Sequence, residues 1–134
     1  MNPTYLLDTN VVSHIMQGRD KELLARLEKL PVGQVALSSV TLAEIEYGIH
    51  RRAQSAKLRQ ALQQVLLHMD VLAWDAPAAT CYGELCSSLE AQGISLSDFD
   101  MMIAAHAVSR KAILVSRDKA FTHIPEQLLS IEIW

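Results

Sequence analysis

Cysteine, net charge and long apolar runs are all scarce in this 134-residue sequence, and each scarcity excludes something. The two cysteines, Cys81 and Cys86, lie five apart in a stretch of helical pattern. That spacing matches neither a CxxC redox pair nor a zinc knuckle, so they read as small buried hydrophobes with free thiols. A formal net charge of -3 predicts neither a basic nucleic-acid coat nor an acidic tail. No stretch approaches the roughly 18 apolar residues of a membrane span. The N-terminus lacks a basic region followed by an apolar core and a cleavage site, so a cytoplasmic location is expected. Internal repeats, low-complexity tracts and linkers are absent too. With half its residues hydrophobic and a fifth charged, the chain reads as one globular domain, residues 1–134, large enough for its own core.

What is present alternates between strand and helix. Short apolar runs at 4–7 (TYLL), 34–38 (QVALS), 70–74 (DVLAW), 112–116 (AILVS) and 130–134 (SIEIW) read as strands. Between them lie helical patterns. VVSHIMQG stops at Gly18, with Thr9 or Asn10 as its expected cap. Asp20 opens KELLARLEKL, which puts leucines 23, 24, 27 and 30 on one face before Pro31. Ser38, Ser39 or Thr41 opens a helix through LAEIEYGIHRR, and AKLRQALQQVLLHM follows. Two more are APAATCYGELCSSLEAQG and SDFDMMIAAHAVSRK. Strands that are apolar throughout and separated by helices predict an α/β fold, a short central parallel sheet of about four or five strands with helices on both faces.

In such a sheet ligands bind beyond the carboxyl ends of the strands, where strand order reverses. Asp8 ends the first strand and Asp118 follows the fourth. Glu44 and Asp100 lie in the first turns of helices that follow strands, which a right-handed connection places at the same edge. Four acids from four segments can therefore meet. Crowded carboxylates repel one another unless a cation offsets them. Oxygen-only ligands favour Mg²⁺ or Mn²⁺, and Mg²⁺ usually meets substrate phosphates, so phosphodiester chemistry is the natural reaction class. Each acid also has an ordinary role available: Asp8 and Asp118 as helix caps, Asp100 as a complement to the helix dipole, Glu44 on a solvated face.

Taken in order, LLDTN, SSVTLAEIEYGI, QGISLSDFDMMIAAHA, ILVSRDKAF and the closing IEIW resemble the PIN-domain ribonucleases, and among them the VapC toxins of bacterial toxin–antitoxin pairs. The resemblance spans nearly the whole length. It implies an Mg²⁺-dependent endoribonuclease, with Mn²⁺ as a substitute, that hydrolyses tRNA or rRNA. The metal ligands and catalytic acids it implies are Asp8, Glu44, Asp100 and Asp118, with Asn10 and Ser116 supporting them from behind. It also implies a homodimer and a cognate VapB-type antitoxin, and no membrane. Asp98 departs from the family pattern and is expected to be a helix cap.

An acidic chain that cuts RNA needs local positive charge. Arg51, Arg52, Lys57 and Arg59 form one group, and Arg110, Lys111, Arg117 and Lys119 another; Arg117, beside Asp118, is the expected substrate contact. His106 is expected to pack between helices, Trp74 and Trp134 to pack in the core or at its rim, and Glu46 to point away from Glu44. Tyr47 and the stripe Leu58, Leu62, Val65 and Leu66 are core or an interface. A housekeeping PIN-fold nuclease and a non-catalytic RNA-binding PIN module are the alternatives, and the intact acids oppose the second. A receiver domain needs two adjacent acids after its first strand and a lysine after its last, and a haloacid dehalogenase-like phosphatase needs an acid at Asn10. Neither fits.

Overall fold

Leu6 and Leu7 are neighbours in the chain but face opposite sides of the sheet, and each anchors a separate core. This follows from the twofold side-chain alternation of a strand. The computed structural model describes residues 3–134. Five parallel strands form one sheet: β1 (Tyr5–Leu7), β2 (Val35–Ser38), β3 (Asp70–Leu72), β4 (Ile113–Val115) and β5 (Ile131–Glu132), in the order β3-β2-β1-β4-β5. Register pairs Leu6 with Ala36 on one side and Leu114 on the other.

Six helices cover the two faces: α1 (Thr9–Gln17), α2 (Lys21–Glu28), α3 (Ser39–His50), α4 (Ser55–Leu66), α5 (Ala76–Ala91) and α6 (Asp98–Arg110). On one face Leu6, Ala36 and Leu114 meet Leu85 and Leu89 of α5 and Ile103, Ala104 and Ala107 of α6. On the other, Leu7, Val35, Leu37 and Val115 meet Val11, Val12 and Ile15 of α1, Leu23 of α2, Ile45 and Ile49 of α3, and Leu62 and Val65 of α4. Each of these Leu, Ile and Val side chains contributes about 1.5–3 kcal/mol by leaving water. Leu62 and Val65 are thus core, while Leu58 and Leu66 are only partly buried against it.

The elements match the expected order with shorter strands. β3 ends at Leu72, and its Asp70 and Val71 are exposed because this is a sheet edge, covered less fully than the centre. A 3-10 segment, Lys119–His123, was not expected. Trp74 packs at the rim, its Nε1 donating to the Met102 carbonyl at 2.9 Å and its ring meeting Tyr82 edge-on. Trp134 lies against Tyr5 with the Arg26 guanidinium above it. Cys81 and Cys86 are free thiols, half-buried rather than fully buried.

Strand order decides where ligands go. From β1 the chain winds outward to β2 and β3, then crosses back to β4 and β5 on the other side. The order reverses between β1 and β4, and beyond the carboxyl ends of those strands a doubly wound sheet forms its ligand crevice.

Candidate active site

Asp8 sits at the mouth of that crevice, 3 % exposed, directly after β1. Its backbone N–H donates to the Val115 carbonyl at 3.0 Å, stitching it to β4. Its Oδ1 accepts the Val11 N–H at 2.9 Å, so Asp8 itself caps α1. Thr9 and Asn10, the expected caps, are already inside the helix. Oδ2 accepts the Ser116 hydroxyl at 2.5 Å. Asp8 makes no hydrogen bond to Asn10, which is exposed. The expected supporting role of Asn10 is therefore not met.

Ser116 follows β4, is buried, and also accepts the Asp118 N–H at 3.0 Å. One hydroxyl thus ties the first acid to the loop that carries the fourth. Asp118 is half-buried and caps the 3-10 segment through the Ala120 N–H at 2.9 Å. Asp100 is the third residue of α6, whose cap is Ser97, accepting the Asp100 N–H at 3.2 Å. Asp98 is therefore not the cap: it is the first helical residue and exposed.

Glu44 reaches the site from α3. The Thr9 hydroxyl donates to its Oε1 at 2.6 Å and lies 3.2 Å from the buried Thr41 hydroxyl. Thr9 has one proton and the carboxylate can only accept, so Thr41 donates to Thr9. Sequence reasoning missed both threonines. A hydroxyl beside Asp8 and another one turn before Glu44 were the available signal. Glu46 points away, as its helical angle requires, and pairs with Arg59.

The electrostatics register how near the four acids lie. Burial raises the Asp8 carboxyl above its ordinary value; the Ser116 and Val11 hydrogen bonds pull it back, and the charges of Asp100 and Asp118 add to the rise. Burial also raises Glu44, opposed by the Thr9 bond and reinforced by Asp100 and Asp8. Asp100 rises by burial, opposed by Ser97 and reinforced by Asp118. Among the described residues no three acidic, histidine or cysteine side chains form a ready-made shell of direct ligands. The cluster is charged and open rather than closed. An all-oxygen, mutually repelling set of this kind fits a hard divalent cation that keeps part of its own water, and does not fit a structural zinc.

Arg117, the expected substrate contact, is committed elsewhere. Its guanidinium lies 2.7 Å from Asp20 and its Nε donates to the Trp134 carbonyl at 2.8 Å. His106 is fully buried and bonded through Nδ1 to the Ser38 hydroxyl at 2.8 Å, a helix-packing histidine as expected.

Residues 5–127 match the family model described as the PIN domain. The chain is 31% identical to ribonuclease VapC2 of Rickettsia felis over 93% of its own length and 95% of that protein. It is 33% identical to the tRNA(fMet)-specific endonuclease VapC of Shigella flexneri, covering 85% of this chain and 86% of that one. Among solved structures, VapBC2 of Rickettsia felis bound to a promoter DNA fragment superimposes with a TM-score of 0.91 at 30% identity, over 98% of both chains. DNA-bound VapBC of Salmonella typhimurium gives 0.90 at 27% identity, over 100% of this chain and 99% of that one.

Proposed function

The chain belongs to the PIN-domain family, in its VapC ribonuclease branch, and from that premise we propose that it is a cytoplasmic, Mg²⁺-dependent endoribonuclease toxin. The observation that carries the reading is the mutual influence of the acids at this edge of the sheet. Asp8, Glu44, Asp100 and Asp118 come from four elements, and Asp8, Glu44 and Asp100 have carboxyls lifted by burial and by their neighbours' charge. Asp8, Asp100 and Asp118 would hold Mg²⁺, or Mn²⁺ in its place, with Glu44 beside Asp8 and Asp100. When bound there, a divalent cation would lower the pKa of a water and offset negative charge on the scissile phosphate.

The chain's own residues prepare that chemistry. Ser116 and the Val11 N–H fix the rotamer of Asp8 so that its carboxylate enters the crevice without a search. Thr9 holds Glu44 where it can orient an attacking water. Water rather than the ribose 2′-hydroxyl is the nucleophile in this reading, leaving 5′-phosphate and 3′-hydroxyl ends.

tRNA is the preferred substrate class, in line with the tRNA(fMet)-specific name of the Shigella flexneri relative, with rRNA the alternative target. A VapB-type antitoxin is the proposed partner, supported by the VapBC complexes among the structural relatives. An apolar cleft of about 590 Å³ between α1, α2 and α4, lined by Ile15, Met16, Leu24, Leu27 and Val65, offers an apolar segment of that partner a seat. No helix of the described residues is long and apolar enough to cross a membrane. A second copy of the chain is the other proposed partner, readable by sedimentation.

The test is incubation of purified protein with total tRNA and rRNA in Mg²⁺, followed by mapping of new 5′ ends. Discrete cuts bearing 5′-phosphate, absent for Asp100→Asn, support the proposal. A folded wild-type protein that leaves both RNAs intact in Mg²⁺ and in Mn²⁺ would overturn it.

A further inference from the structure

Glu44, Tyr47, Gly48 and Arg51 share one flank of α3, and the site described above uses only Glu44. At about 100° per residue, Gly48 falls about 40° to one side of Glu44, and Arg51 and Tyr47 about 20° and about 60° to the other. Tyr47 is 65% exposed, unusual for so large a residue on a packed helix. The Arg51 guanidinium lies over the ring, 5.2 Å from its centroid, a cation–π contact that steadies the ring while leaving its other face open.

Part of the unpaired positive charge lies at the same place. Arg59, Arg110 and Arg117 are paired with Glu46, Asp75 and Asp20. Arg51, Arg52 and Lys57 have no carboxylate partner among the described residues and are exposed. They follow Glu44 along the end of α3 and into α4.

Gly48 adds an independent observation. A glycine inside a helix weakens it relative to alanine. Here a Cβ would meet nothing within 4 Å, and the backbone is not left-handed. Folding supplies no reason for glycine at this position. Bare backbone beside an exposed ring and a free cation does suit a ligand that approaches closely.

We propose that this flank of α3 is a nucleotide platform for the single-stranded RNA that enters the acid crevice. A base stacks on the open face of Tyr47, the neighbouring phosphate takes the Arg51 guanidinium, and the ribose-phosphate chain passes over Gly48. Single-stranded RNA is recognised by aromatic stacking beside a cationic track, and a chain of net charge -3 needs such a track locally. The proposal rests on the ribonuclease reading of the adjacent crevice.

The experiment is an anisotropy titration of labelled oligouridine in metal-free buffer, which separates binding from cleavage. A second probe is the abasic ribose-phosphate chain of the same length. Tyr47→Ala weakens oligouridine binding about ten-fold, the size of one lost stacking contact, and leaves the abasic chain unaffected. Tyr47→Phe retains binding. Arg51→Gln weakens both probes and lowers the salt slope by about one. Gly48→Leu, whose side chain enters open space in the free protein, weakens binding without lowering the Tm. Unchanged oligouridine binding by Tyr47→Ala, or an equal loss on both probes, overturns the platform. So does conversion of a dimer to monomer by Tyr47→Ala with RNA affinity unchanged, which would make the flank a protein interface. A wild type that binds RNA through Tyr47 but never cuts it in Mg²⁺ would sink the ribonuclease reading and leave the platform standing.

Discussion

The Thr9 hydroxyl donates to Glu44 Oε1 at 2.6 Å, joining residues 35 positions apart and fixing the acid of α3 against the first turn of α1. A hydrogen bond to a charged acceptor contributes about 1.5–3 kcal/mol, and losing it also frees the carboxylate to rotate. Thr9→Val keeps the shape and removes the donor. It is expected to lower kcat by about ten-fold or more with little change in KM, because Glu44 acts on the attacking water rather than on substrate binding. Thr9→Ser restores the donor and stays near wild type. Steady-state kinetics on the mapped RNA target checks both, and equal activity of the Val and Ser variants would remove Thr9 from the site.

Asp8→Asn is expected to abolish cleavage and, in metal-free buffer, to raise the Tm. The folded protein holds a buried carboxylate in the field of Asp100 and Asp118, which destabilises it. An amide keeps the shape and both hydrogen-bonding positions, since it can accept from Val11 and donate to the Ser116 oxygen. Mg²⁺ or Mn²⁺ reverses the ranking: saturating cation at a hundred times its Kd stabilises the wild type by about 2.7 kcal/mol and the variant by much less. Thermal scans of both proteins with and without cation decide this.

His106 predicts a stability loss in mild acid. It is buried, its Nε2 has no hydrogen-bond partner, and burial together with the Arg110 charge holds it below its ordinary value of 6.5, against an opposing pull from Asp75. Above that value the ring is neutral in both states and stability is indifferent to pH. Below it the unfolded chain takes up a proton that the folded chain refuses. Stability therefore falls with pH, by up to about 1.4 kcal/mol per unit, until the folded-state value is reached. Urea midpoints at pH 7.5 and 5.5 should separate for wild type and separate less for His106→Gln.

Asp98 and Ser97 should trade the importance that sequence suggests. Asp98 is exposed and makes no cap, so Asp98→Ser is expected to retain nearly full ribonuclease activity. Ser97 caps α6 and sets the turn that carries Asp100, so Ser97→Ala costs about 1 kcal/mol and lowers activity along with it. A denaturation curve and an initial rate for each variant suffice.

The chain's own pattern is enough to predict a short parallel sheet of about four or five strands covered by helices, with Asp8, Glu44, Asp100 and Asp118 expected at one edge. Those features depend on local periodicity, on breakers such as Gly18 and Pro31, and on the handedness of strand–helix–strand connections. Partnership across segments was legible only in the folded chain. Asp8 caps its own helix and bonds Ser116, 108 positions away. Asn10, with the same capping chemistry, is left at the surface. Asp20 captures Arg117, taking the guanidinium that sequence places beside Asp118 into an ion pair. Sequence spacing determines which face of an element a side chain occupies. Which group it meets there depends on the order β3-β2-β1-β4-β5, because that order alone brings the ends of β1 and β4 side by side.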